Sequence, residues 1–224
     1  MTALLKASNV TRVLQEALPV TLVQGANVEV RAGEFVAITG PSGSGKSSLL
    51  YLLGLLDKPT EGMVDIEGVP TGPLDEDALA ALRLEKLGFV FQSHFLLAEF
   101  TALENVMLPM RRLGRRSDRE CRDRAAEILA TVGLSEHSHK LPQQMSGGQR
   151  QRVAVARALA NDPLIVLADE PTGNLDTASS SVVQHLLKDL SAGTTRAVIA
   201  VTHDPAFAAM ATRQIRIVDG KISI

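Results

Sequence analysis

The chain has 224 residues, 45 % hydrophobic and 21 % charged, with 23 Lys and Arg against 25 Asp and Glu for a net charge of -2. That much apolar material excludes wholesale disorder and suits one large domain, with or without a small subdomain. The near-neutral balance excludes a protein whose main business is coating nucleic acid.

The opening stretch MTALLKASNVTRVLQ lacks the basic head, apolar centre and small-residue cleavage site of a signal peptide. The most apolar run, Ser48 to Leu56, is about half a membrane span. The expectation is a chain that does not cross a bilayer by itself. Thr21 to Val30 and Met63 to Glu67 read as short strands separated by turns without helices, hence as an antiparallel sheet beside the functional site. Apolar runs of strand length occur at Phe35 to Thr39, Gly88 to Phe91, Leu164 to Ala168 and Ala197 to Val201. Such continuous runs are buried on both faces, which predicts an α/β fold with a mainly parallel sheet.

Helices are expected over Lys46 to Leu56 and over Ser117 to Val132. The second opens with a capping box of Ser117 and Glu120, aligns Cys121, Ala125, Ile128, Leu129 and Val132 on one face, and stops at Gly133. From about Ser93 to Gly148 helical patterns replace strands, which predicts an inserted helical subdomain that rejoins the sheet at Leu164. Within it, residues 111–124 hold seven arginines against Asp118, Glu120 and Asp123, a local net charge of +4 that reads as a solvated helix face rather than a headgroup site. Cys121 is the single cysteine, and His137 and His139 are too distant from it and too few for a zinc site, so a reducing cytoplasm fits.

The strand FVAITG runs into Gly40, Pro41, Ser42, Gly43, Ser44, Gly45, Lys46, Ser47 and Ser48 and then a helix, the context a phosphate-binding loop requires. Its glycines let backbone N–H groups point at the β- and γ-phosphates, Lys46 adds a point charge, and the Ser47 hydroxyl can reach Mg²⁺. A second carboxylate-bearing site follows the run Leu164 to Ala168. Asp169 and Glu170 stand at the C-terminal edge of a parallel strand, where such sheets present their ligands. Asp169 is expected to hold Mg²⁺, directly or through water, and Glu170 to polarise the attacking water.

The third stretch is Met145, Ser146, Gly147, Gly148 and Gln149, followed by the helical run RQRVAVARALA. Ser146 reads as an N-cap, and the two glycines bare the first backbone N–H groups, so this helix start is a second anion site. An ordinary capped helix explains Ser146 but leaves Gly-Gly-Gln unexplained. Two phosphate-binding ends in one chain suggest a nucleotide sandwiched between two copies.

These motifs, with Gln92 after the strand GFVF, the loop of Gly173, Asn174, Leu175 and Asp176, and His203 after VIAVT, occur in the order of an ATP-binding-cassette ATPase. The chain is identified as a resembling member over nearly its whole length. The resemblance implies a P-loop NTPase (RecA-like) core with an N-terminal antiparallel β subdomain and an inserted α-helical subdomain. It implies one domain over 1–224, with 1–92 and 162–224 as catalytic core and about 93–161 as helical subdomain bearing the SGGQ signature. Gln92 then corresponds to the glutamine that senses Mg²⁺ and the γ-phosphate and couples the two parts. Asn174, Leu175 and Asp176 match the loop that crosses the dimer interface, and His203 matches the histidine that contacts the γ-phosphate. One position departs: Leu14 or Val13 stands where an aromatic usually stacks on adenine, and the only tyrosine, Tyr51, lies on the phosphate-loop helix.

LADEPTGNLD, GFVFQSHFLLAEFTALENVMLPM and THD resemble the ATP-binding subunits of lipoprotein-releasing and macrolide-export systems, with the cell-division subunit of the same branch also close. The resemblance implies ATP and Mg²⁺ as ligands, a homodimer, integral membrane permease subunits as partners, and a peripheral place on the cytoplasmic face of the inner membrane. It implies no direct contact with nucleic acid or cargo. Soluble relatives acting on DNA or ribosomes are tandem cassettes or carry long coiled-coil insertions, and neither is present in this sequence. A complex that signals mechanically and transports nothing stays open beside export. The apolar segment His94 to Phe100 is expected to edge a groove for a cytoplasmic helix of a membrane subunit, the alternative being that it completes the helical subdomain's own core.

Overall fold

The computed structural model describes residues 3–15 and 18–223. Two sheets organise them. The first joins β1 (Ala3–Leu14), β2 (Val20–Arg31), β4 (Glu61–Ile66) and β5 (Val69–Pro70) in the order β2-β1-β4-β5, all antiparallel. The second joins β3 (Phe35–Thr39), β6 (Leu87–Phe91), β7 (Ile165–Asp169), β8 (Ala197–Val201), β9 (Arg213–Val218) and β10 (Lys221–Ser223) in the order β10-β9-β3-β8-β7-β6. It is parallel apart from the β9–β10 hairpin.

The central strands β3, β7 and β8 of the second sheet are buried on both faces, as their continuous apolar runs require, whereas β9 and β10 at one edge are partly exposed. Ile165, Leu167, Ile199 and Val201 face a core shared with the first sheet and with α1 (Lys46–Leu53). Val166, Ala168, Val198 and Ala200 face the helices on the other side. Those helices are α3 (Ala102–Leu113), α4 (Asp118–Thr131), α5 (Gly147–Ala158), α6 (Thr177–Ser191) and the short α7 (Pro205–Ala209), with α2 (Glu76–Lys86) preceding β6.

Several expectations meet their elements closely. Phe35–Thr39 and Ala197–Val201 are strands over the expected ranges. Ser117 caps α4 through the expected box with Glu120, and Cys121, Ala125, Ile128 and Leu129 are buried. The phosphate-loop helix ends earlier than expected, at Leu53, because Gly54 caps it and Leu55 turns to a φ of 58°. The Met63 to Glu67 strand is followed not only by turns but by α2, whose Asp75 cap accepts from the Ala78 N–H at 2.8 Å. The arginine-rich stretch is spent on surface ion pairs: Arg111 with Asp118, Arg115 with Glu85, and Arg116 and Arg124 with Asp162. Exposed pairs of this kind contribute ~0–1 kcal/mol each, and their presence supports the solvated-face reading.

Candidate active site

Register in the parallel sheet builds the site. Phe91 pairs with Asp169, Asp169 with Val201, and Val201 with Ile38. The four strands therefore end side by side, and the residues that follow them, Gln92, Glu170, His203 and Gly40, leave one carboxyl edge together. Open parallel sheets bind ligands at this edge.

The loop from Gly40 to Gly45 depends on two glycines for its path. A Cβ at Gly40 would stand 2.0 Å from the Ile217 carbonyl oxygen, and one at Gly45, at a φ of 98°, would stand 2.2 Å from the Leu22 carbonyl oxygen. The first sheet thus presses against the phosphate loop through Leu22, beside the site as expected. Pro41, Ser42 and Gly43 are exposed, and a Cβ at Gly43 would meet nothing within 4 Å, which leaves its side of the loop open for a ligand. Ser44 is buried, and Ser48 follows on the first turn of α1. Lys46 Nζ donates to the carbonyls of Gly40 at 3.0 Å and Pro41 at 2.8 Å, at the rim of the loop.

Asp169 is 9 % exposed, and both of its oxygens are engaged. Ser47 Oγ donates to Oδ1 at 2.8 Å and Tyr51 Oη donates to Oδ2 at 2.7 Å. Burial, followed by the bond to the Asp169 carboxylate, pushes the Tyr51 phenol up to about 12, so it remains a donor at any physiological pH. Glu170 adopts a φ of 45°, a left-handed turn that takes its side chain off the strand line. Its Oε2 meets His203 Nδ1 at 2.8 Å. Gln92 Nε2 donates to Asn174 Oδ1 at 3.2 Å, and a Cβ on Gly173 would stand 2.8 Å from that same amide nitrogen. The residues following β6 and β7 are therefore in contact with each other.

The other predicted residues cap two helices that meet the loop following Glu170. Ser146 caps α5, with Gln149 N–H donating to Ser146 Oγ at 3.2 Å and Ser146 N–H donating to Gln149 Oε1 at 2.9 Å. A Cβ on Gly148 would stand 2.4 Å from Ser179 Oγ, whereas one on Gly147 would make an ordinary contact with Leu175 Cδ2 at 3.6 Å. The expectation that a capped helix leaves Gly-Gly-Gln unexplained is corrected at two of its three positions: the cap uses Gln149, and packing on α6 requires Gly148, whereas neither accounts for Gly147. Asp176 caps α6, accepting from the Ser179 N–H and Oγ, both at 2.9 Å, and these bonds hold its carboxyl below the usual range.

Sequence reasoning missed the residues that hold these loops. Gln151, 2 % exposed, donates to the Phe91 carbonyl at 2.8 Å, and Arg157 donates to those of His94 and Phe95 at 2.8 and 2.7 Å. Asn105, fully buried, donates to the carbonyls of Leu97, Phe100 and Thr101 and accepts from the Leu97 N–H. Gln184 donates to Asp204 just beyond His203 at 2.8 Å. The available signal was a polar residue on the apolar face of a helix, which must find a partner.

The donor set fits a magnesium nucleotide. Among the described residues no three His, Cys, Asp or Glu cluster as a metal site. A hydroxyl and one carboxylate at a phosphate loop are what Mg²⁺ takes, since it fills its other positions with water and substrate phosphates.

Comparison with known proteins agrees with this geometry. A family model described as ABC transporter matches residues 23–173. The lipoprotein-releasing system ATP-binding protein LolD 1 of Chlorobium chlorochromatii is 50 % identical over 94 % of this chain and 85 % of its own length. The macrolide export ATP-binding/permease protein MacB of Hyphomonas neptunium is 52 % identical over 91 % of this chain, which spans 31 % of that longer protein. The dimeric structure of a post-hydrolysis state of the ATP-binding cassette MJ0796, bound to ADP and Pi, superposes with a TM-score of 0.91 at 44 % identity, covering 98 % of this chain and 97 % of that one. A phosphate loop, an acidic strand end and a capped Gly-Gly helix on one α/β frame, matched over nearly the whole chain, place this protein in the ABC transporter family as an ATP-binding ATPase subunit.

Proposed function

We propose that two copies of this chain bind two ATP head to tail and drive membrane subunits that release lipoproteins from the inner membrane. The observation that carries the ATPase chemistry is the Glu170–His203 contact at 2.8 Å beside the Ser47–Asp169 pair, on one sheet edge. In each site the loop of Gly40 to Ser48 holds the phosphates, and Lys46 neutralises them. Ser47, Asp169 and Gln92 would hold Mg²⁺, which when bound spreads the charge of the β- and γ-phosphates. Glu170 takes a proton from the attacking water, and His203 holds that carboxylate in place. Ser146 to Gln149 of the second copy close the site, with Asp176 and its loop at the interface. Residues 1–92 and 162–224 serve as catalytic core, and about 93–161 as the helical subdomain.

The place of action is the cytoplasmic face of the inner membrane, as a peripheral subunit. No helix of the described residues is long and apolar enough to cross a membrane. The partner surface is a groove of about 370 Å³ lined by Leu56, Leu84, Phe89, Phe91 and Pro109, with Arg83 and Arg157 also in its wall. Phe95 stands beside it at 64 % exposed and meets Phe91 edge-on at 5.6 Å, whereas Leu96 packs inward on the helical core. The segment after Gln92 is thus divided between both readings, and Phe95 and Leu97 are the side chains left for a permease helix. Phe95→Asp is expected to abolish stimulation of ATPase activity by the permease and to leave the isolated subunit's rate within about twofold. Intact co-purification and coupling in that variant would remove the groove from the interface.

Base recognition is expected to be weak. Leu14 pairs with Val20 where β1 stops and β2 begins, and Val20 lies two residues before Leu22, whose carbonyl abuts Gly45. A ring there would stack on the base for ~1–3 kcal/mol. Leu14→Tyr is therefore expected to tighten ATP binding roughly tenfold relative to inorganic triphosphate, measured by calorimetric titration of both ligands. Equal effects on the two would refute this placement of the base.

The cargo assignment rests on relatives named as lipoprotein-releasing subunits at 44 to 50 % identity. The macrolide-export relative supports efflux as the second reading. Affinity capture of Glu170→Gln with Mg-ATP from detergent-solubilised membranes tests both. Recovery of a separate permease with a large extracytoplasmic domain is the expected outcome. Recovery of ribosomes or DNA-repair factors instead would overturn the transport reading and leave the ATPase chemistry standing.

A further inference from the structure

We propose that Tyr51 is a positioning residue for the metal-holding carboxylate: its phenolic hydroxyl clamps Asp169 so that the oxygen bonded by Ser47 faces Mg²⁺. This rests on the assignment of Asp169 made above.

The backbone of Asp169 is fixed by strands on both sides, since it pairs with Phe91 and with Val201. Only its side-chain torsions remain free. Ser47 and Tyr51 are four residues apart on α1 and so share one helix face. From that face Ser47 takes Oδ1 and Tyr51 takes Oδ2, at 2.8 and 2.7 Å. An ionised carboxylate only accepts, so both hydroxyls donate. The phenol bond is short enough to be charge-assisted.

Aromatic packing holds the phenol at this angle. The Tyr51 ring meets Phe91 edge-on at 6.5 Å and 66°, and Phe91 stacks on Phe89 at 6.0 Å and 7°. A helix-borne hydroxyl on each oxygen leaves the carboxylate one orientation. Without the phenol, the buried Oδ2 has lost its donor, the carboxylate can turn about its last torsion, and the Ser47 contact turns with it. Donors bonded to a metal-holding carboxylate orient it, and losing one typically costs about ten- to a hundredfold in metal affinity.

The test is calorimetric titration of ADP into wild type, Tyr51→Phe and Asp169→Asn, each in MgCl₂ and in EDTA. ADP avoids turnover. Phe keeps the ring in its aromatic cluster, so Tyr51→Phe is expected to stay folded, with a melting temperature lowered by about 2–10 °C for the donor that Oδ2 loses. It is expected to bind ADP about tenfold more weakly in MgCl₂, with unchanged affinity in EDTA and a half-saturating Mg²⁺ concentration raised by a similar factor. Asp169→Asn is expected to lose the Mg²⁺ gain altogether. If Asp169→Asn loses it while Tyr51→Phe matches wild type, or loses as much in EDTA as in MgCl₂, the positioning role is overturned. If Asp169→Asn keeps the full Mg²⁺ gain, the assignment of Asp169 itself fails, and this proposal with it.

Discussion

Glu170→Gln is expected to slow ATP turnover by about two to four orders of magnitude while ATP still binds. The reason lies in what the substitution keeps. Glutamine has the shape of glutamate, fits the φ of 45° as well, and can still bond His203 across the 2.8 Å contact. It cannot take a proton from water. The phosphate loop, Lys46 and the Ser47–Asp169 pair are untouched, so affinity survives and the ATP-bound dimer accumulates. Steady-state phosphate release and size-exclusion chromatography with ATP check both parts. A Glu170→Gln protein that turns over at the wild-type rate would assign the proton acceptor elsewhere.

Mixing two inactive variants is expected to restore activity, which is the largest effect foreseen for the split site. Lys46→Ala removes the charge at the phosphate loop. Gly147→Asp places a carboxylate at the helix end proposed to meet the partner copy's nucleotide, and the structure accepts a side chain there because its Cβ makes only a 3.6 Å contact. Gly148 would be a poor probe, since any Cβ collides with Ser179. Each variant alone forms dimers with two broken sites. A mixed dimer gathers both lesions in one site and leaves the other whole. With random pairing, half the dimers are mixed and carry one good site each, so an equimolar mixture should regain up to about a quarter of the wild-type rate. Cooperativity between sites would lower that figure. No recovery from an equilibrated mixture would mean that each chain carries its site alone.

Much of this site was legible because its chemistry is local in sequence. A phosphate loop needs glycines, a lysine and a hydroxyl within a few residues, between a strand and a helix, and Gly40 to Ser48 state that directly. The capping box at Ser117 and Glu120 was legible for the same reason. Other parts were hidden because their cause is contact between distant segments. Nothing near Gly45 announces that its Cβ position belongs to the Leu22 carbonyl, and nothing near Tyr51 announces Asp169. The helix α2 escaped for a different reason: it buries only Leu79 fully, so its apolar face is narrow and its signal lies in the Asp75 cap.

By itself the sequence determined which groups are present and which fold class carries them: the motif order, the doubly buried strands, the ATP chemistry and the family. Tertiary structure alone decided how those groups meet. Strand register set Phe91, Asp169, Val201 and Ile38 in one row, and with them Gln92, Glu170 and His203 on one edge. It also decided that Gln149 belongs to a cap, Gly148 to packing against α6, and Phe89 and Phe91 to the groove. The physical reason is range: glycine torsions, caps and charges act within a few residues, whereas steric fit and hydrogen bonds between separate strands and helices exist only once the chain has brought them together.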